Sequence, residues 1–112
     1  PYLRDGAEYL KANLPRLGTP TLRTRDCYYW YYATQVMFQM QGEYWTSWNE
    51  ALRPLLIDNQ VQEGQFAGSW EPTGPTPDRW GPQAGRICVT TLNLLSLEVT
   101  YRHLPIYEST AK

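Results

Sequence analysis

Hydrophobic residues recur at helical spacing in four segments of the chain. The first segment, residues 2–13, is followed by prolines and a glycine, so it predicts a short helix that ends before them. Its apolar positions are Leu3, Ala7, Leu10 and Leu14. The second segment predicts a helix from Cys27 to about Gln41, with Asp26 as its N-cap and Gly42 after its last turn. A polar connector separates these two helices.

The second predicted helix is apolar on all sides. It opens with the aromatic run Tyr28–Tyr32, and no charged residue lies between Asp26 and Glu43. A strand is the alternative for this run, because aromatic residues favour strands. The residues that follow, Ala-Thr-Gln-Val-Met-Phe-Gln-Met, favour a helix. A helix without a polar face is expected to be buried on every side.

The third segment predicts an amphipathic helix over about 43–60. A one-sided stripe is formed by Trp45, Trp48, Leu52, Leu55, Leu56 and Asn59, so the opposite face is expected to be solvated. Pro54 lies inside this helix, where a proline is expected to kink it or to restart it. Because the turn at Gly42 is short, the second and third helices are expected to form an antiparallel hairpin.

A long loop over 61–83, rich in glycine and proline, precedes the last predicted helix. Its aromatic residues indicate that it is held on the surface, with Trp70 and Trp80 anchored against helix ends. The last helix is predicted from about Gln83 to His103, again nearly apolar on all sides. The order of buried, amphipathic and buried helices predicts an all-α array of helical hairpins with about four helices.

Composition narrows the classes of function. The 112 residues fit a single domain. Ten basic and eleven acidic residues leave a net charge of −1, which argues against nucleic acid as the main partner. No apolar run approaches the ~20 residues of a membrane-spanning helix. Cys27 and Cys88 lack zinc-ligand spacing and are predicted to be buried thiols, with a disulfide as the alternative in an exported protein.

Three stretches carry a resemblance to a known group of folds. Gln60 followed by Gly68-Ser69-Trp70 resembles a stretched QW motif of squalene and oxidosqualene cyclases. Residues 27–30, Cys-Tyr-Tyr-Trp, resemble a stretch of protein prenyltransferase beta subunits. Residues 28–35, 78–81 and 97–105 together look like bacterial prenyltransferase or squalene-oxidase repeat proteins. These families share the α/α toroid, whose inner helices line an apolar cavity.

The resemblance covers roughly residues 20–107. It implies that residues 1–112 are one domain, the C-terminal part of a larger α/α-toroid domain, since a full ring needs more hairpins than this chain supplies. An incomplete array exposes the apolar flank that the next repeat would cover. We therefore expect self-association, or packing against upstream repeats of the same chain, through that flank.

The catalytic motifs of these families are missing from the chain. Cyclases protonate their substrate with an Asp-rich motif, whereas Asp26 and Asp78 are isolated acids. Protein prenyltransferases hold zinc with Asp-x-Cys and a distant histidine. Here Arg25 stands two positions before Cys27, and the one histidine is His103, near the end of the last helix. The sequence therefore predicts no catalytic residue, no metal and no cofactor within 1–112.

Candidate ligand-binding residues lie mainly in the aromatic helix, where rings stabilise cationic or apolar ligands. They are Tyr28, Trp30, Tyr31, Gln35, Arg25 and Arg86. For the aromatic residues the alternative is core packing. Arg25 and Arg86 begin the two buried helices and are candidates to hold an anion such as diphosphate. The alternative for these arginines is pairing with Asp26, Asp78 or Glu71.

Three functions are compatible with these features. The first is a non-catalytic toroid segment that binds an apolar, isoprenoid-like ligand or a protein partner. The second is part of a terpene-cyclase-like enzyme whose catalytic acid lies upstream. The third is a helical-repeat scaffold without a small ligand. The missing acid and zinc residues favour the first.

Overall fold

The computed structural model describes residues 2–19, 21, 24–74 and 76–102, and every regular element in these residues is a helix. The helices are α1 (Tyr2–Ala12), α2 (Cys27–Met40), α3 (Gly42–Asp58), α4 (Gly81–Leu97) and α5 (Val99–Arg102). The predicted all-α class is confirmed. The first three predicted helices correspond to α1, α2 and α3, and the last corresponds to α4 and α5 together.

Helix α2 lies at the centre of the fold and contacts the other four helices. Its N-cap is Asp26, as predicted, because the Asp26 side chain accepts the Tyr29 backbone N–H at 3.0 Å. The buried residues of α2 are Cys27, Trp30, Ala33, Thr34, Met37 and Phe38. The core cluster includes four of them, Cys27, Trp30, Ala33 and Met37, together with the α3 residues Trp48, Leu52 and Leu56.

Burial of α2 is confined to part of its circumference. Tyr28 is 53% exposed and Tyr32 is 52% exposed. The expectation that α2 is buried on every side is therefore wrong for this face. The described helices cover the side of α2 that carries Trp30 and Met37, and none covers the side that carries the two tyrosines.

A tight turn joins α2 and α3 into the predicted hairpin. Gln41 and Gly42 both have positive φ, 57° and 59°, which reverses the chain within two residues. Across the hairpin, Trp48 Nε1 donates to Thr34 Oγ1 at 2.8 Å, and that hydroxyl donates to the Trp30 carbonyl at 2.5 Å. Thr34 and Trp48 are equally distant from Gln41 along the chain, which is the register of an antiparallel pair.

Helix α3 has the predicted one-sided core face. Trp48, Leu52 and Leu56 are buried, and the helix continues without interruption through Pro54 to Asp58. A restart of the helix at Pro54 is therefore not observed. Pro54 is exposed, so the carbonyl that loses its helical partner faces solvent, and the buried leucines on either side hold the helix to the core.

The last predicted helix is divided. Gly85 has φ 80° and ψ 178° inside α4, and Glu98 separates α4 from α5. The buried residues of α4 include Val89, Asn93 and Ser96, while Ile87 is 84% exposed. The expectation of a helix buried on all sides is wrong here too. His103 and Pro105, which were predicted to end this helix, lie outside the described residues.

Helix length and hydropathy also bear on membrane insertion. Among the helices of the described ranges, none combines the length and the apolar character needed to cross a bilayer.

Candidate functional site

The residues of the QW-like motif come together at the end of α3. Gln60 Nε2 donates to the Gly68 carbonyl at 2.8 Å. Val61 and Ser69 close the intervening turn, since the Val61 N–H donates to the Ser69 carbonyl at 2.8 Å. Trp70 is buried, and its Nε1 donates to the Leu56 carbonyl at 2.9 Å. The motif therefore fastens the loop to the C-terminal end of α3, and Trp70 is the anchor that the sequence predicts.

Arg86 is bound to the same loop. Its guanidinium pairs with Glu71 at 2.5 Å, donates to Ser69 Oγ at 2.9 Å and lies over the Phe66 ring at 4.1 Å. Pairing with Glu71 is the alternative that the sequence left open for Arg86. This arginine supports the loop through protein groups, which occupy the positions that an anion would need.

Arg25 is buried and also binds the loop. Its guanidinium donates to the Thr76 carbonyl at 2.8 Å, and its own carbonyl accepts the Arg79 N–H at 2.7 Å. Burial lowers the pKa of Arg25, and the neighbouring Asp78 opposes that shift. Arg25 is thus inaccessible to a ligand in solution.

Asp78 forms a buried polar junction with the start of α2. It accepts the Cys27 backbone N–H at 2.9 Å, the Cys27 thiol at 3.4 Å and the Trp80 backbone N–H at 2.9 Å. Burial raises the pKa of Asp78. The three hydrogen bonds and the charge of Arg25 lower it in part, because they stabilise the ionised carboxylate. Burial raises the pKa of the Cys27 thiol, and the nearby Asp78 carboxyl raises it further. All the donors come from the protein, so the junction is structural.

The second cysteine departs from the sequence expectation. Cys88 is exposed, so the prediction of two buried thiols is wrong for this residue, which lies on the solvent side of α4. Cys27 is buried, and both thiols are free. Across the part of the chain that the structure describes, no three His, Cys, Asp or Glu side chains form a group that could hold a metal ion.

Four aromatic side chains, three from α2 and one from the loop before α4, form a row that we call the aromatic row. Three of them are exposed, and Tyr31 is half-buried. They are Trp80, Tyr28, Tyr32 and Tyr31. The ring centroids of Tyr28 lie 6.0 Å from Trp80 and 4.9 Å from Tyr32, and Tyr31 lies 4.9 Å from Tyr32. Trp80 also donates from Nε1 to Asp26 at 2.9 Å, so it anchors the loop to the start of α2 as predicted.

An apolar groove of about 500 Å³ lies between α1 and α2. Its lining residues are Leu10, Tyr28, Tyr29, Tyr32, Ala33 and Val36. Of the predicted ligand-binding residues, Tyr28 lines the groove, whereas Tyr31 and the half-buried Gln35 do not. The groove follows one face of α2, because its residues 29, 32, 33 and 36 are spaced for a single helical stripe.

A second concavity, the polar cleft, has a volume of about 320 Å³ and lies at the N-terminal end of α2. Its polar lining consists of Tyr9, Asn13, Arg16, Thr24, Asp26 and Arg79. Tyr29 and Trp30 also line it. The Tyr29 hydroxyl donates to the Asn13 carbonyl at 3.0 Å, and burial raises the pKa of Tyr29 to about 12.

Sequence reasoning missed Arg16 and Arg79 as site residues. Both lie in connecting segments without a periodic pattern or a motif of known chemistry, so no local signal distinguishes them from other surface arginines. Trp30, by contrast, was predicted to line a cavity and does line the cleft, although 99% of its surface is covered and its main role is in the core.

Comparison with known proteins gives no assignment. No protein-family model matches the chain, and neither the curated proteins nor the solved structures include a match.

Proposed function

We propose that this chain is a non-catalytic segment of an α/α-toroid-like domain that binds an apolar, isoprenoid-like ligand in the groove between α1 and α2. The observation that carries the proposal is the groove itself, which is lined by three tyrosine rings and three aliphatic side chains. Its volume of about 500 Å³ falls within the roughly 300–1,000 Å³ of small-molecule sites.

The chemistry of the lining suits an unsaturated hydrocarbon chain. Tyr28 and Tyr32 are half exposed in the free protein, so a ligand that covers them removes apolar surface from water. Each buried methylene contributes about 0.8 kcal/mol to such binding. The faces of the tyrosine rings also attract polarisable and electron-poor groups.

A non-catalytic role is supported by the state of the acids near α2. Asp78 is fully buried and accepts three protein donors, so its carboxyl has no access to a ligand in the groove. Asp26 is engaged by the Tyr29 N–H and by the Trp80 ring nitrogen. None of the residues that line the groove is acidic, so a terpene-cyclase-like reaction there would need an acid that does not line it.

Calorimetric titration of the chain with farnesol, a neutral isoprenoid alcohol, tests the proposal. We expect saturable binding, and a Tyr28→Ala, Tyr32→Ala double variant should weaken it by about tenfold or more. Tyr101→Ala is the matched control, since Tyr101 is an exposed tyrosine of α5 and does not line the groove. Absence of saturable binding, or equal weakening in the control, would overturn the proposal.

A helical-repeat scaffold is the second candidate, and a separate observation favours it. Ile87, Leu94 and Tyr101 are exposed at seven-residue spacing along α4 and α5. Within α4 this spacing places Ile87 and Leu94 on one side of the helix, as in a helix-packing seam. Tyr101 is an exposed residue of α5, beyond the break at Glu98. A neighbouring helical repeat, or a second copy of the chain, would cover this row.

A further inference from the structure

We propose that the polar cleft binds a carboxylate group, so that the ligand of this chain is a long apolar acid with its head in the cleft and its tail in the groove. This inference rests on the proposed function and specifies the chemical class of its ligand. Three observations support it: the two concavities adjoin, the cleft contains two arginines, and the charged side chains of the cleft have a net positive charge.

The cleft and the groove adjoin along α2. Tyr29 lines both of them. On the opposite wall, two consecutive residues of α1 line different concavities: Tyr9 lines the cleft and Leu10 lines the groove. The two concavities therefore adjoin at Tyr29, with the polar one at the start of α2 and the apolar one extending towards Val36. The eight residues from Tyr29 to Val36 span about 10 Å of helix.

Two arginines of the cleft lack an acidic partner among the residues that the structure describes. Arg16 and Arg79 are both exposed, and neither forms an ion pair with a residue of the described ranges. Arg86, by contrast, is paired with Glu71. The Arg79 guanidinium lies over the Trp80 ring at 5.8 Å from its centroid, which supports the group while its N–H donors stay available.

The connector that carries Arg16 is held in place at the cleft. The Thr24 hydroxyl donates to the Arg16 carbonyl at 3.1 Å, and Thr24 itself lines the cleft. On the other side, the Arg79 N–H is bonded to the Arg25 carbonyl at 2.7 Å. Both arginines therefore extend from anchored backbone, which lowers the entropy cost of binding an anion between them.

The charge of the cleft selects the type of anion. Arg16 and Arg79 contribute two positive charges and Asp26 one negative charge, so the charged lining matches a single negative charge. A carboxylate carries one charge and accepts two parallel N–H bonds from a guanidinium. A diphosphate carries more than one negative charge, so part of its charge would lose water in the cleft without gaining a partner of opposite charge. The cleft thus favours a carboxylate over a diphosphate.

The test compares three ligands that share one hydrocarbon tail: farnesoate, farnesol and farnesyl diphosphate, each titrated calorimetrically into the full chain at neutral pH. We expect farnesoate to bind about tenfold or more tightly than either of the others. Arg16→Gln and Arg79→Gln should each remove most of this preference. Arg53→Gln is the matched control, because Arg53 is exposed on α3 and lies outside the cleft.

The outcomes separate the two proposals. If farnesol and farnesoate bind equally, or if Arg53→Gln weakens farnesoate as much as the cleft variants do, the carboxylate site is overturned and the apolar groove stands. Tighter binding of farnesyl diphosphate than of farnesoate also overturns the carboxylate assignment. If none of the three ligands binds, both the carboxylate site and the proposed function fail.

Discussion

Asp78 and Cys27 lie 51 residues apart in the sequence, yet Asp78 Oδ2 accepts the Cys27 backbone N–H at 2.9 Å. The other carboxylate oxygen of Asp78 accepts the Trp80 N–H and the Cys27 thiol. One buried side chain therefore closes the N-terminal end of α2 and fixes the loop that leads into α4. This junction also positions Arg79, which lines the cleft, because Arg79 lies in the sequence between Asp78 and Trp80, which are hydrogen-bonded to each other.

Removal of the Asp78 carboxylate should destabilise the fold. We expect Asp78→Ala to lower the free energy of unfolding by about 2–4 kcal/mol, because the buried Cys27 N–H and the partly buried Trp80 N–H lose their acceptor and Arg25 loses its acidic neighbour. Asp58→Ala, at an exposed position near the end of α3, should change it by less than about 0.5 kcal/mol. Urea denaturation measures both. Equal losses would contradict a structural role for Asp78.

The same carboxyl makes stability depend on pH. Burial raises the pKa of Asp78 above its ordinary value of 3.8, so the folded state binds this proton more tightly than the unfolded state. The stability that this tighter proton binding contributes is complete below the pKa of Asp78 in the unfolded state. It is lost as the pH rises through the pKa of Asp78 in the folded state. Asp78→Asn cannot ionise. The unfolding free energy of the wild type minus that of Asp78→Asn should therefore fall as pH rises from about 3.8.

Urea titrations of both proteins across a series of pH values measure this difference. A difference that stays constant, or that grows with pH, would show that the hydrogen bonds to Asp78 outweigh its burial.

The two thiols should react at very different rates. Burial and the contact with Asp78 raise the pKa of Cys27, whereas Cys88 is exposed. An aromatic disulfide reagent should therefore label one thiol rapidly in the folded chain and both thiols in urea. Cys88→Ser should abolish the rapid phase, and Cys27→Ser should retain it. Rapid labelling of two thiols in the folded wild type would contradict the burial of Cys27.

Two glycine-to-alanine substitutions should have opposite effects. A Cβ at Gly81 would lie 1.8 Å from the Pro72 carbonyl oxygen, so backbone must move, and Gly81→Ala should cost about 1–3 kcal/mol or more. A Cβ at Gly6 in α1 meets no atom within 4 Å, so Gly6→Ala should stabilise by about 0.5–1 kcal/mol. Thermal unfolding of both variants checks the signs. A neutral Gly81→Ala would show that the 72–81 loop is not held closely.

Self-association is the expected consequence of the exposed row on α4 and α5. We expect a concentration-dependent dimer in light scattering, because Ile87, Leu94 and Tyr101 leave an apolar strip open to solvent. Ile87→Glu with Tyr101→Glu should give a monomer with an unchanged melting temperature, since both side chains are at least 80% exposed. A wild type that is monomeric at every concentration would exclude this contact between copies of the chain.

Local patterns in the sequence predicted much of the fold. The Asp26 cap, the Gly42 turn and the stripe of α3 depend on residues three or four positions apart, and the structure agrees with each of them. Anchoring of the loop by Trp70 and Trp80 was predicted as well, because large aromatic residues in a glycine-rich loop require a surface to cover them.

The site was less predictable because it depends on contacts between distant segments. Tyr28 and Tyr32 follow the same pattern as the buried Trp30, and only the arrangement of the neighbouring helices decides which rings stay exposed. Arg16 and Arg79 are separated by most of the chain and share the cleft through the fold alone. Arg25 and Arg86 stood out by position, yet the structure commits both to the loop.

The two-residue turn at Gln41 and Gly42 has a consequence for the order in which the chain folds. Closing the α2–α3 hairpin brings Thr34 to Trp48 at a small loop-closure entropy, since they are 14 residues apart. The junction of Asp78 with Cys27 requires closure over 51 residues. We therefore expect the hairpin to form first, and the loop that completes the cleft to dock onto it later. Ligand recognition would thus depend on the last part of the molecule to form.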